Sequence, residues 1–153
     1  MEREAENKMK ILVADSIDKK ALEGLKKLWT VKDASRLSRA GLIKLIPSYE
    51  LLIVRSQTQV NEQLLKKAKK LKAVIRAGVG LDNIDTDYCE ENNIKVLNTA
   101  EAPSISVAEL TIGLMLSLLR KIPQADSSVK NEKWLKNELV GTELFGKTVG
   151  IIG

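Results

Sequence analysis

The chain has 153 residues, of which 44% are hydrophobic and 29% are charged, and its formal net charge is +5. This length allows one domain with a core, or one domain and part of another. Aromatic residues make up 3%, there is no histidine, and Cys89 is the single cysteine. This composition excludes an intrachain disulfide and a Cys/His zinc site, and it disfavours a base-stacking surface for nucleic acid.

The first eight residues are charged and contain no apolar stretch, so we interpret 1–8 as a solvated leader and not as a signal peptide. The longest nearly apolar segment, LTIGLMLSLL (110–119), is too short to span a bilayer. The lysine-rich segment KKAKKLK (66–72) is expected to be the solvated face of a helix. We therefore predict a cytoplasmic protein with no membrane or nucleic-acid partner and no metal.

Apolar runs alternate with helical patterns through residues 9–102. Strands are expected at 11–14, 29–32, 51–54, 73–75 and 94–97. Helices are expected at 19–28, 39–46, 61–70 and 84–92, the first three capped by Asp18, Ser38 and Asn61. Because the strands are continuous apolar runs, both faces of the sheet should be covered. The pattern predicts an α/β, flavodoxin-like (Rossmann-like) parallel sheet of about five strands with flanking helices.

The pattern changes after Pro103. Ser106 and Glu109 have the spacing of a capping box, which predicts the start of a helix that runs to Arg120. This helix is apolar on nearly every side, so it must be covered on several sides. Pro123 is expected to end it, with an irregular stretch over 124–143 and a new strand over 147–152.

The candidate site lies where the predicted strands end, because ligands of open parallel sheets bind beyond the carboxyl ends of the strands. The residues at these ends are Arg55, Ser56, Gly78, Val79, Gly80, Asn98 and Thr99. Two glycines in one turn allow successive N–H groups to face one anion, and an arginine can add its guanidinium. A small carboxylate or phosphate is the predicted guest. The alternative from the residues alone is a tight turn beside a surface arginine.

The segment RAGVGLDNIDTDYCEENNIKVLNTAEAPSISVAELTIGLMLSLLRKIPQA (76–125) resembles the D-isomer-specific 2-hydroxyacid dehydrogenases, and LIVRSQTQV (52–60) fits the same family. The last residues, GKTVGIIG (146–153), resemble that family's entry into its NAD-binding domain. The resemblance implies a two-domain homodimeric enzyme that transfers a hydride between NAD and a D-2-hydroxy acid, with 3-phosphoglycerate as the expected substrate. Other 2-oxo acids stay open.

The resemblance also implies a division of the chain. Residues 9–102 would be the substrate-binding domain, and 103–145 an inter-domain and dimerisation helix with an arm. Residues 146–153 would be the first strand of the NAD-binding domain, with Gly153 as the first glycine of its G-x-G-x-x-G fingerprint. The residue that distinguishes NAD from NADP follows the second strand of such a domain and is not among these residues.

Site residues follow from the same resemblance. The substrate would be held by Arg55, Ser56, Gly78, Val79 and Gly80, with the carboxylate on the N–H groups of Val79 and Gly80. The cofactor would be contacted by Val79, Ser104, Val107 and Gly153.

The family's catalytic arginine, histidine and glutamate belong to the dinucleotide domain or follow it, and this chain has no histidine. No catalytic residue is therefore expected here, and the chain alone should be inactive. A receiver-type signalling domain is disfavoured, because it needs an acidic residue where Arg55 stands. A free-standing anion-binding or regulatory α/β module is the main alternative.

Overall fold

The computed structural model of the protein describes residues 8–152, which divide after Pro103 into two units. The first unit contains five strands: β1 (Lys10–Val13), β2 (Thr30–Asp33), β3 (Leu51–Val54), β4 (Ala73–Arg76) and β5 (Lys95–Asn98). They pair in parallel in the order β2-β1-β3-β4-β5. This is the flavodoxin-like order, so the predicted fold class is confirmed.

Side-chain caps fix where the helices of the first unit begin. They are α1 (Lys19–Leu28), α2 (Arg39–Leu45), α3 (Glu62–Leu65) and α4 (Thr86–Glu91), and a 3₁₀ turn (Ile46–Ser48) follows α2. The caps of α1, α2 and α3 are the predicted ones, Asp18, Ser38 and Asn61. Each side-chain oxygen accepts a hydrogen bond from an N–H of the first helical turn, which would otherwise lack a partner.

The prediction of a helix over 61–70 is wrong in its second half. After Leu65 the chain continues in turns, with Ala68 N donating to Leu65 O (2.9 Å) and Leu71 N donating to Ala68 O (3.1 Å). Lysines at positions 66, 67, 69 and 70 would stand three and four residues apart on a continued helix and repel each other. The lysine-rich segment is therefore a solvated series of turns and not a helix face.

The core of the first unit lies on both faces of the sheet. On one face, buried side chains of the strands pack with those of α2, α3 and α4, including Leu42, Leu64 and Cys89. On the other face, Ile11, Val13 and Ile53 pack against α1. This two-sided burial explains why the strands read as unbroken apolar runs.

The second unit contains α5 (Ser104–Leu119) and α6 (Ile122–Lys130). Ser106 lies inside α5 and is not its cap, since the helix begins directly after Pro103, whose fixed φ suits a helix start. Lys121 has a left-handed φ of 53°, which ends the first helix, and Pro123 stands in the first turn of the second. The predictions that Pro123 ends a helix and that 124–143 is irregular throughout are therefore wrong.

The end of the second unit is irregular. The strand predicted over 147–152 is absent from this structure, because a strand needs a hydrogen-bonded neighbour and none pairs with these residues in the described chain. Residues near 141 fold back on the end of α5, where Thr142 N donates to Leu119 O (2.9 Å). No helix within 8–152 combines the length and the apolar character required to cross a membrane.

Candidate functional site

The carboxyl edge of the first unit is organised by Asp15, which is buried and lies two residues after the end of β1. Its carboxylate accepts hydrogen bonds from the backbone N–H groups of Arg55 (2.6 Å), Gln57 (3.2 Å) and Thr58 (3.2 Å). The Thr58 hydroxyl donates to the other carboxylate oxygen at 2.5 Å. Four donors on one buried carboxylate fix the loop after β3, and this loop carries Arg55 and Ser56.

Asn83 attaches the same loop to the segment after β4. Its buried side-chain amide donates to the carbonyl oxygens of Arg55 (2.8 Å) and Thr58 (2.7 Å). Backbone bonds of Val60 with Asn83 and Asp85 form a parallel bridge beside it. The loops after β1, β3 and β4 thus form one hydrogen-bonded rim.

The glycine turn, residues 77–80, follows β4 and is held from the next strand end. Asn98 donates its side-chain amide to Val79 O (2.6 Å), and Thr99 N donates to Gly78 O (3.1 Å). Gly78 N donates to Arg76 O (2.9 Å) and is therefore occupied. No hydrogen bond of the described residues uses the N–H groups of Val79 and Gly80, and both residues are exposed. The turn therefore presents two adjacent, unused donors to solvent.

Gly80 lies close to two charged side chains. Neither glycine of the turn has a positive φ. A Cβ on Gly80 would lie 2.9 Å from Asp82 Oδ1 and 3.4 Å from Arg76 Nη1, whereas Gly78 has room for one. These two groups form an ion pair of 2.5 Å beside the turn. The hydrogen bond from Arg76 lowers the pKa of the Asp82 carboxyl.

Arg76 was missed in the sequence reasoning. Its side chain is mostly buried and its Nε has no partner among the described residues, although the guanidinium contacts Asp82. A charged residue at the last position of an otherwise apolar strand was the available signal. Asp15 and Asn83 were missed for another reason, because their role depends on loops that are far apart in sequence.

The structure places Arg55 and Ser56 on the exposed top of the rim. The Arg55 guanidinium lies 3.5 Å from the carbonyl oxygen of Ser16, on the β1 side of β3. Within residues 8–152, no hydrogen bond joins this guanidinium to the glycine turn. The side chains of Asp15 and Asn83 therefore hold the backbone of Arg55 in place, while the Arg55 side chain is exposed.

The predicted cofactor residues are distributed over both units. Val79 belongs to the glycine turn of the first unit, and its side chain is 52% exposed. Ser104 and Val107 lie in the first turns of α5 in the second unit and are also exposed. Gly153 lies outside the described residues.

Neither a metal-binding cluster nor a reactive thiol is found in residues 8–152. The part of the chain from 8 to 152 contains no group of three or more His, Cys, Asp or Glu that could hold a metal ion. Burial raises the pKa of the Cys89 thiol to about 11, with Asp85 as a second cause, so this thiol is protonated at neutral pH. A protonated, buried thiol is a core group and not a nucleophile.

Residues 11–148 match the family model described as "D-isomer specific 2-hydroxyacid dehydrogenase, catalytic domain". The chain belongs to this family. It is 46% identical over 145 residues to D-3-phosphoglycerate dehydrogenase of Methanocaldococcus jannaschii, covering 95% of this chain and 28% of that protein. It is 45% identical over 145 residues to hydroxypyruvate reductase of Thermotoga maritima, covering 94% and 47%.

A solved structure of the same family has the same fold. The NADPH-dependent glyoxylate/hydroxypyruvate reductase of Sinorhizobium meliloti, in complex with NADP and malonate, superposes with a TM-score of 0.75 at 26% identity. The superposition covers 96% of this chain and 46% of that one. This member of the D-isomer specific 2-hydroxyacid dehydrogenase family therefore spans less than half of the length of these three relatives.

Proposed function

We propose that the chain is the substrate-binding part of an NAD-dependent D-2-hydroxyacid dehydrogenase that converts 3-phosphoglycerate to 3-phosphohydroxypyruvate, a step of serine biosynthesis. The observation that carries this proposal is the pair of unused N–H groups at Val79 and Gly80, exposed at the carboxyl edge of the sheet. Family membership and the relative named D-3-phosphoglycerate dehydrogenase support the choice of reaction.

The turn suits a carboxylate. Two adjacent backbone donors match the two oxygens of a carboxylate, and hydrogen bonds to an ionised acceptor are stronger than those between neutral groups. The bonds from Asn98 and Thr99 fix the turn from its other side, so that it is rigid before the substrate binds. Gly78 contributes the shape of the turn and not a donor, since its N–H is occupied.

Arg55 supplies the charge that the turn lacks. In the structure its guanidinium lies beside Ser16 O at 3.5 Å, a contact too weak to hold an arginine against a bound anion. We infer that the side chain reorients toward the substrate, with Ser56 as a neighbouring hydroxyl. Asp15 keeps the backbone of Arg55 in place during this change.

The cofactor in this proposal is NAD, which accepts the hydride when bound. The exposed apolar side chains of Val79 and Val107 suit contact with its nicotinamide end, and the Ser104 hydroxyl suits a hydrogen bond. Gly153 is proposed as the first glycine of the dinucleotide fingerprint. The structure of the Sinorhizobium meliloti relative contains NADP, so NADP is the alternative cofactor that should be compared with NAD.

The division of the chain belongs to the same proposal. Residues 9–102 bind the substrate, 103–145 link the domains and form a homodimer, and 146–153 begin the NAD-binding domain. The proton donor of the family is a histidine, and this chain has none. We therefore expect catalysis to require residues beyond the 153, and we expect a cytoplasmic enzyme.

The experiment compares Arg55→Ala with Arg36→Ala in a protein that joins this chain to the dinucleotide domain. Loss of the substrate contact should raise KM for 3-phosphoglycerate roughly ten- to a hundredfold, since a hydrogen bond to a charged group gives about 1.5–3 kcal/mol. Arg36 is an exposed arginine elsewhere in the first unit and should leave KM unchanged. Unaltered kinetics in Arg55→Ala would contradict the proposed role.

A second candidate function is an anion-binding module without catalysis. It is favoured by one observation, that the first unit holds all the buried hydrophobic residues of the described chain. Following NADH absorbance separates the two. The 153-residue chain alone should show no turnover and the longer protein should oxidise a D-2-hydroxy acid. Binding without turnover by the longer protein would support the module.

A further inference from the structure

A cleft lies at the amino edge of the sheet, opposite the rim that carries the glycine turn. Its volume is about 400 Å³, and its lining includes Lys8, Lys10, Ser48, Glu50, Lys70 and Lys72. These residues come from the starts of β1, β3 and β4 and from the turns before them. Four residues of strand at about 3.3 Å each separate this edge from the carboxyl edge by roughly 13 Å.

Glu50, the carboxylate of this cleft, is already engaged. Its Oε1 accepts from Lys72 Nζ at 2.7 Å, and its Oε2 accepts from the backbone N–H of Lys10 at 3.1 Å. The hydrogen bond from Lys72 is the main reason that the pKa of Glu50 is lowered, and the nearby charge of Lys70 contributes to the same effect. The carboxylate is therefore ionised at neutral pH and neutralises one lysine.

Among residues 8–152, three other ammonium groups of the cleft have no carboxylate in a salt bridge with them. No salt bridge of the described residues involves Lys8, Lys10 or Lys70, whereas Lys26 and Lys66 of the same unit pair with glutamates three or four residues away. All three are exposed and line one concavity together with the Ser48 hydroxyl. Like charges held together in this way repel each other, and a multivalent anion would relieve the repulsion.

We propose that this cleft binds a compact multivalent anion, such as an oligophosphate or a polycarboxylate, independently of the carboxyl edge. Ammonium groups suit such a ligand because they act as mobile point charges that surround an anion without requiring a single geometry. The proposal does not depend on the dehydrogenase activity, since none of these residues belongs to the rim around the glycine turn.

The test is a backbone-amide NMR titration of the chain with tripolyphosphate, with chloride at matched ionic strength as the reference. The amides of residues 8–10, 48–50 and 70–72 should shift in a saturable way. The double substitution Lys10→Gln with Lys70→Gln should raise the Kd roughly tenfold, because exposed ion pairs give small increments each. The two substitutions leave the backbone hydrogen bonds at positions 10 and 70 in place, so the fold should not change.

The matched control is Lys19→Gln with Lys27→Gln, which removes the same charge from exposed positions of α1. It should leave the Kd within twofold of the parent, apart from a uniform effect of net charge. If it weakens binding as much as the cleft variant does, the chain acts only as a diffuse polycation and the proposal fails.

Glu50→Gln gives a change in the opposite direction. It removes the one negative charge and releases Lys72, so the Kd for tripolyphosphate should fall, even though the variant loses an ion pair. A general loss of structure would weaken binding instead, which separates the two causes. Shifts confined to Val79 and Gly80, or unaltered affinity in all variants, would overturn the proposal.

Discussion

The two units of the chain contain similar apolar side chains, but the first unit buries many of them and the second unit leaves most of them exposed. All buried hydrophobic residues of the described chain lie between Ile11 and Ile94 in the first unit. In residues 104–152 only Ser128 is buried, while Leu110, Leu114 and Leu118 are each more than 60% exposed. Apolar content alone therefore does not make a core. A core also needs complementary faces that pack together, and the parallel sheet provides two such faces.

The spacing of apolar residues along the helices explains why the two units differ in burial. Each helix of the first unit has one apolar side, which the sheet covers, whereas α5 carries apolar residues on nearly every side and has no single face to bury. Exposing a side chain such as Leu118 forfeits roughly 1.5–3 kcal/mol. This cost is the physical reason to expect that another chain or domain covers α5.

The largest expected effect compares one leucine from each unit. Leu64 in α3 is fully buried and Leu118 in α5 is 80% exposed. Leu64→Ala should lower the free energy of unfolding by about 2–5 kcal/mol, and Leu118→Ala by less than about 0.5 kcal/mol in the monomer. Urea unfolding at low protein concentration measures both. A large loss for Leu118→Ala would show that α5 is covered even in the monomer.

The next effect concerns thiol reactivity. Burial raises the pKa of Cys89 to about 11, so at pH 8 its thiolate fraction should be roughly a hundredfold below that of an ordinary thiol. Alkylation of Cys89 should therefore be slow in the folded chain. A cysteine introduced by Leu118→Cys in a Cys89→Ala background should react at the rate of a free peptide. If Cys89 and the cysteine at position 118 were alkylated at equal rates, the contrast between the two units would be contradicted.

The same pKa gives a signed pH dependence. Above about pH 9 the unfolded thiol loses its proton while the folded thiol keeps it until about pH 11. The unfolded state then binds fewer protons, so the stability should fall as the pH rises through this window. Cys89→Ala should remove this part of the slope.

A smaller effect is expected on self-association through α5. Sedimentation equilibrium at low micromolar concentration should show a dimer, and Gly113→Leu should weaken it roughly tenfold by preventing close helix approach. A Cβ added at Gly113 would meet no atom within 4 Å beyond the backbone of its own helix, and the same holds for Gly24 in α1. Gly24→Leu is therefore the matched control, since both changes improve helix propensity. A monomer of the parent chain would reject the proposed dimer.

Much of the first unit could be predicted from the sequence, because its strands and helix caps depend on patterns among residues that are close together in the chain. Apolar runs defined the strands, and Asp18, Ser38 and Asn61 capped their helices as expected. The helix limits after Leu65 and around Pro123 could not be predicted in the same way. Lysines at helical spacing follow Leu65 and a left-handed residue stands at position 121, and neither feature appears in a periodicity count.

Some parts of the candidate site could likewise be predicted from local sequence patterns, and other parts could not. The glycine turn and Arg55 could be located from sequence because they follow strands, and strand ends are visible in the pattern. The rim that positions them could not, since Asp15 reaches residues about forty positions away. The direction of the Arg55 side chain, toward Ser16 and not toward the turn, also depends on the folded loops.

We propose that the N–H groups of Val79 and Gly80 receive a substrate carboxylate, and backbone-amide NMR of the chain can detect this binding. Addition of 3-phosphoglycerate should shift these two amides downfield in a saturable way, while glycerol at the same concentration should not. Gly80→Ala, which places a Cβ 2.9 Å from Asp82 Oδ1, should weaken the response more than Gly78→Ala. Unchanged Val79 and Gly80 amides at saturating 3-phosphoglycerate would contradict the account.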